Sequence, residues 1–237
     1  MTTIKISVFL AIFCLLVAAC SPKYYVPNTQ NVPLFTEQGQ VNLTAVGNGN
    51  QVEFQGAYAV TNHIGIMANT GFYHPKDDGN GNGGSGKLFE GGLGYFYPFG
   101  EHLVFETYGL VGFGDFENHF PTASSSGKGK ISGKLNRFGI QPGIGYTSNW
   151  LTLAFSSRFS SLHYGDPDGD LIFDNLDQVA YLKENNSFIL LEPAITLRAG
   201  LEKIKLQLQL TRGFNLTDKD FRQEESLLSL GVNFNLK

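Results

Sequence analysis

From about residue 39 onward, apolar and polar residues alternate with a period of two. Val52 and Phe54 flank Glu53, and Leu206, Leu208 and Leu210 interleave with Lys205, Gln207 and Gln209. Period two is the signature of a strand with one apolar and one polar face. Ten such segments can be marked, roughly 39–46, 51–60, 64–73, 88–97, 102–115, 131–146, 150–163, 187–198, 203–212 and 226–236. Most are near or above the roughly 9–11 residues that a tilted strand needs to cross a bilayer.

The connections alternate as well. Those at 61–63, 98–101, 147–149 and 199–202 are short. Those at 74–87, 116–130, 164–186 and 213–225 are long, and only 48–50 breaks the pattern. Outer-membrane barrels have short periplasmic turns and longer extracellular loops. The expected fold is therefore an all-β, transmembrane, antiparallel up-and-down β-barrel of about ten strands, with eight as the alternative count. An even strand count places both ends of the barrel on the short-turn side. The apolar face includes Phe54, Ile66, Leu93, Phe105, Val111, Phe138, Ile140, Phe155, Ile195, Leu208 and Leu230 and should meet lipid. Tyr58, Tyr95, Tyr97, Tyr146 and Phe234 at one end, and Phe72, Phe89, Phe113 and Phe159 at the other, read as aromatic girdles. Phe234 precedes three further residues instead of ending the chain, as the final aromatic of many such barrels does. A soluble β-sandwich also alternates and is the competing fold. It would not need membrane-length strands or turn lengths that alternate by side.

Composition narrows the classes. The 237 residues suit one domain, and 16% charged residues against 13% aromatics is the reverse of a disordered chain. A net charge of -4 gives no basic footprint, so no nucleic-acid partner is expected. A mean hydropathy of -0.09 is what alternating faces average to.

The first 20 residues divide into a positive end at Lys5, an apolar stretch from Ile6 to Val17, and the small pair Ala18-Ala19. Val17-Ala18-Ala19-Cys20 closely resembles the lipobox of bacterial lipoproteins. The resemblance implies cleavage before Cys20, a diacylglyceryl group on its thiol and an acyl group on its freed amine. An ordinary secretory signal with an incidental cysteine is the alternative. Cys14 lies in the leader, so the mature chain keeps only Cys20 and no disulfide framework is expected. The domain reading is a signal peptide at 1–19, a lipid-anchored tether at 20–38 and a barrel at 39–237. Pro22, Pro27 and Pro33 mark the tether as extended. With periplasmic termini, the lipid on Cys20 is expected in the inner leaflet of the outer membrane. The run Tyr24-Tyr25-Val26-Pro27-Asn28-Thr29-Gln30-Asn31-Val32-Pro33-Leu34-Phe35 resembles the tether of small outer-membrane barrel lipoproteins of Bacteroidota, and the likeness extends through 41–72. It implies a porin-like or surface barrel and no activity.

Glu53, Glu90, Glu106, Glu192, Arg137, Arg158, Arg198 and Lys205 share the polar face and should point into a narrow lumen. Unpaired buried charges are costly, so a packed salt-bridge network that fills the lumen with side chains is expected. A narrow ion path or a catalytic carboxylate pair is the functional alternative. His74, His119 and His163, with Asp77, Asp78, Asp115 and Asp166, fall near the outer rim, as an omptin-like surface protease would require. A lipid-modifying barrel hydrolase is the other enzymatic alternative. Asp166, Asp168 and Asp170 form a weak cation candidate that fits an EF-hand loop poorly and reads better as a turn. The glycine-rich stretch 78–86 lacks a P-loop ending and reads, like 124–130, as flexible loop. Ile172, Leu176, Val179 and Leu182 mark an amphipathic helix over the barrel mouth. The expected role is non-enzymatic: envelope integrity or surface interaction, with outer-membrane lipids and other envelope proteins as partners. No cofactor beyond the Cys20 lipid is expected.

Overall fold

Strands that alternate in polarity close most economically when the sheet meets itself, because closure leaves no unpaired edge. The structure, a computed structural model, shows this outcome and describes residues 23–74, 83–121, 128–219 and 221–236. The leader and Cys20 lie outside the described residues.

The strands are β1 (Val41–Gly47), β2 (Gln51–Ala59), β3 (Ile64–Tyr73), β4 (Gly83–Phe99), β5 (Leu103–Pro121), β6 (Lys128–Thr147) and β7 (Leu151–Gly169). A two-strand excursion, β8 (Ile172–Phe173) and β9 (Leu176–Asp177), precedes helix α1 (Gln178–Glu184). Then come β10 (Ser187–Gly200), β11 (Ile204–Arg212), its short continuation β12 (Phe214–Asn215) and β13 (Ser226–Leu236). Each barrel strand pairs antiparallel with its sequence neighbour, and β13 returns to β1 with Val41 opposite Leu236. The result is a closed ten-stranded barrel.

The exterior is apolar. Leu93, Leu206 and Leu230 are 62%, 71% and 65% exposed, in a belt that also holds Phe54, Phe105, Phe138 and Ile195. Such a surface is far larger than a water-soluble monomer presents. At the short-turn end His63 stacks on Tyr95 and Tyr97, and His102 meets Tyr146 edge-on.

Several features differ from the pattern in the sequence. First, β4 to β7 are 17–20 residues long and absorb parts of the stretches expected as loops. Gly83 to Gly86 pair with His119 to Phe116 as regular strand. The glycines are required there: a Cβ on Gly84 would lie 2.5 Å from the Glu117 carbonyl oxygen, and one on Gly114 2.0 Å from that of Lys87. Backbones approach too closely for side chains, so composition that looks flexible is a packing solution. The helix is also shorter than the apolar spacing implied. It begins at its N-cap Asp177, buries Val179 and Leu182, and leaves Ile172 and Leu176 exposed in the β8–β9 excursion.

Second, the segment expected as an extended tether is inside the barrel. Tyr24, Tyr25, Thr29 to Val32 and Phe35 are nearly inaccessible. The lumen is therefore filled by a length of main chain, not by side chains alone. The chain descends from the long-loop mouth at Lys23 to the short-turn mouth at Gln38, then reverses into β1. Lys23 thus sits at the mouth opposite the start of β1, contrary to the expectation of a short-turn-side N-terminus.

Candidate functional site: a lumen built around its own N-terminal strap

Residues 23–38 form a strap in three zones, and each zone meets matching chemistry. At the long-loop mouth Tyr24 and Tyr25 share a buried cluster with Phe116, Tyr164, Phe188, Phe221 and Leu182 of α1. Tyr164 donates its hydroxyl to the Tyr24 carbonyl at 2.9 Å, and Tyr24 bonds the Gln178 side chain at the start of α1. Burial pushes the Tyr24 phenol above its ordinary range, against the pull of Arg222. At the short-turn mouth Val32, Leu34 and Phe35 pack with Met67, Phe96, Val104, Tyr108 and Leu110. Phe35 meets Phe96 edge-on with centroids 5.5 Å apart.

The polar middle is read by lumen side chains almost atom by atom. The Thr29 N–H donates to both Glu53 carboxylate oxygens at 3.0 Å, and Gln55 donates to the Thr29 carbonyl at 2.7 Å. Gln209 accepts from the Gln30 N–H at 2.6 Å and donates to the Gln30 carbonyl at 2.9 Å, as a neighbouring strand would. Gln141 donates to the Asn31 carbonyl at 2.7 Å, Arg198 to that of Val32 at 2.8 Å, and the Leu34 N–H donates to Glu106 at 2.8 Å. Pro27 and Pro33 have no N–H to satisfy. A buried backbone must have its donors and acceptors met, and here strand side chains do so without a ladder.

Between the strap and the wall lies a charge cluster. Arg137 donates to Glu90 through Nε at 3.0 Å and Nη2 at 2.5 Å. Arg158 Nε donates to Glu192 at 2.7 Å, and its Nη1 is 3.9 Å from Glu90. The strap ties these pairs together. Tyr25 donates its hydroxyl to Glu192 at 2.9 Å and accepts from Arg137 at 2.6 Å. Asn28 accepts from Arg137 through its side chain at 2.8 Å and from Arg158 through its carbonyl at 3.2 Å.

Of the eight residues expected to form one network, Glu90, Arg137, Arg158 and Glu192 do so. Glu53, Glu106 and Arg198 are also buried in the lumen, but they bind main-chain groups of the strap. Lys205 donates to the Ser148 carbonyl at 2.6 Å and to Thr152 at 3.1 Å, beside a cavity of about 410 Å³ at the short-turn mouth. The expected full pairing fails because peptide groups compete successfully for half of the charges. The sequence does carry a sign of the strap: a solvated tether has no reason to hold Tyr24, Tyr25, Leu34 and Phe35 around a polar run.

The outer rim offers less. Asp115 pairs with Lys87 at 3.0 Å, Glu117 with Lys130 at 2.8 Å and Asp166 with Lys134 at 3.0 Å. His163 lies 2.9 Å from the Ser187 hydroxyl. Asp77 and Asp78 are outside the described residues. Asp166 and Asp170 engage different residues of β6, Lys134 and the Lys130 N–H, and do not converge with Asp168. Among the described residues no group of three His, Cys, Asp or Glu side chains gathers as a metal site.

No protein-family model and no curated protein matches the chain. Solved structures similar to it are bacterial barrels. The N-terminal β-barrel domain of Pseudomonas aeruginosa OprF is 15% identical, covers 84% of this chain and 99% of its own, and has a TM-score of 0.34. A major outer membrane protein from Thermus thermophilus is 11% identical over 84% and 99%, with a TM-score of 0.43. The translocator domain of the autotransporter NalP from Neisseria meningitidis is 11% identical over 83% and 86%, with a TM-score of 0.45. At these values the likeness adds nothing to the closed barrel seen directly in this chain.

Proposed function

We propose that the chain is an integral barrel of the outer membrane, lipid-anchored at Cys20, with a structural or surface-interaction role and a lumen closed by its own N-terminal strap. The apolar belt supports the membrane placement, because a bilayer is the environment that accepts it. The long connections then face outward and the short turns face the periplasm. The single observation that carries the role is the strap. Residues 28–34 are bonded to the wall through Glu53, Gln55, Gln141, Gln209, Arg198 and Glu106, which leaves no wide aqueous path. The partners are outer-membrane lipids and, at the long-loop surface, other envelope proteins. No catalytic role is assigned: the central carboxylates Glu90 and Glu192 are held by arginines, and the rim acids Asp115, Glu117, Asp166 and Asp170 are engaged by lysines or the Lys130 N–H.

Two experiments test this reading. Purified protein in planar bilayers should show no steady porin-like conductance, and a large stable conductance would overturn the closed lumen. Metabolic labelling with a fatty acid should mark the wild type and not Cys20→Ala. Equal labelling of both would remove the lipid anchor.

A further inference from the structure

The strap runs the full height of the barrel in the direction opposite to β1, and both of its ends are fixed. At the short-turn mouth the Gln38 N–H donates to the Asn62 side chain at 3.0 Å, and the Gly39 N–H donates to the Ala59 carbonyl at 2.9 Å. At the long-loop mouth the Tyr24 N–H donates to the Arg222 carbonyl at 2.8 Å, and the Glu224 N–H donates to the Tyr25 carbonyl at 2.9 Å. Lys23 pairs with the Glu224 carboxylate there, and its carbonyl accepts from the Asn118 side chain. Residues 23–38 could span at most about 50 Å, with a local break where Leu34 takes a φ of 51° and a turn at 37–39. A strand of the length of β5 or β7, tilted as in membrane barrels, rises about the same height. With its two ends bonded at opposite mouths, the strap passes through the barrel from mouth to mouth.

Cys20 precedes Lys23 by three residues, a reach of about 10 Å. The hydrocarbon core of a bilayer is about 30 Å thick. An acyl group on Cys20 cannot reach the leaflet beside the short turns while the strap is seated. Withdrawing the strap would strip Glu53, Glu106 and Arg198 of their main-chain partners and break the Tyr25 and Asn28 links to the arginine–glutamate cluster.

We propose that the barrel carries its N-terminal strap outward through the lumen, so that the acylated end emerges beside the long loops and anchors in the outer leaflet, on the cell surface. The strap is then a lumen seal and also a tie between the barrel and the lipid surface around its outer mouth. This rests on the reading above that Cys20 is acylated and that the long loops face out.

The test uses full-length protein in cells, with an epitope placed in one of three positions: between Pro22 and Lys23, in the β3–β4 connection after Gly81, or after Ser148 in the β6–β7 turn. Heat-modifiable gel mobility confirms that each barrel is folded, and fatty-acid labelling confirms that the lipid is present. The expected result is antibody binding to intact cells at the first two positions alike, with the Ser148 epitope reached only after permeabilisation. If the N-terminal epitope instead behaves like Ser148, threading is wrong and the proposal falls. If the first two epitopes are hidden and Ser148 is exposed, the strap is threaded but the barrel orientation is wrong, and the outer-leaflet assignment falls with it. If surface exposure persists without a lipid label, the anchor fails independently of threading. Independently of any epitope, Lys23→Cys/Glu224→Cys should form a disulfide in the folded barrel, as Gln38→Cys/Asn62→Cys should at the other mouth. A cross-link at the second pair alone would show that the strap does not reach the long-loop mouth.

Discussion

Replacing Arg158 by Ala tests whether the charge cluster holds barrel and strap together. Arg158 is fully buried; it donates through Nε to Glu192 at 2.7 Å and through Nη2 to the strap carbonyl of Asn28 at 3.2 Å. The substitution leaves Glu192 buried without its direct cation and deprives the Asn28 carbonyl of a donor. Breaking a buried pair by removing one partner costs about 3–5 kcal/mol. Glu192 retains the Tyr25 hydroxyl at 2.9 Å, so the lower part of that range, about 3 kcal/mol, is expected. The control is Arg212→Ala. Its pair with Glu225 is 2.6 Å long, but the two side chains are 47% and 64% exposed, so the loss should stay below about 1 kcal/mol. Urea unfolding in detergent micelles, followed by far-ultraviolet circular dichroism and gel mobility, reads both as midpoint shifts at a common slope. Equal and small losses for the two variants would refute the claim that the lumen charges hold the barrel together.

Three further outcomes follow from the same contacts. Phe35→Ala removes a buried ring from the lower cluster and should destabilise the folded barrel by about 3–5 kcal/mol in the same assay. Gln209→Leu leaves the Gln30 N–H and carbonyl unmet, each worth about 1–3 kcal/mol, whereas Gln38→Leu at the exposed end of the strap should change stability by less than about 0.5 kcal/mol. Gly84→Val forces a Cβ to within 2.5 Å of the Glu117 carbonyl oxygen, so limited proteolysis should begin in the β4–β5 extension while the barrel keeps its heat-modifiable mobility.

The barrel was legible wherever one face of a strand is apolar and the other polar. Val52 to Tyr58, Phe105 to Phe113 and Ile204 to Leu210 read directly as strands because their large apolar residues fall on alternate positions. The upper parts of β4 to β7 were not legible, since they carry no regular apolar alternation. Gly83 to Gly86 keep strand geometry through their neighbours' backbones, and β7 passes a bulge at Asp166 and Pro167 to pair Asp168 with Ser132; local composition records neither. Beyond the apolar residues at its two ends, the course of the strap was hidden for a related reason. It has no period of its own, and its partners, from Glu53 on β2 to Gln209 on β11, are spread around the barrel. The charges on one face mark the lumen, but a strand pattern does not encode that peptide groups, and not opposite charges, meet Glu53, Glu106 and Arg198.

Strap occupancy can be measured at mid-lumen. The Thr29 hydroxyl lies 3.0 Å from the Ser229 hydroxyl on β13, with both residues inaccessible to solvent. In Thr29→Cys/Ser229→Cys the two introduced thiols should join under mild oxidation of the folded barrel, and mass spectrometry of the digested protein should recover residues 29 and 229 in one cross-linked peptide. Each single-cysteine variant should stay inert to a membrane-impermeant maleimide. A barrel that is folded by gel mobility, yet leaves both thiols free and reactive, would show that the N-terminal segment is outside and that the lumen is open.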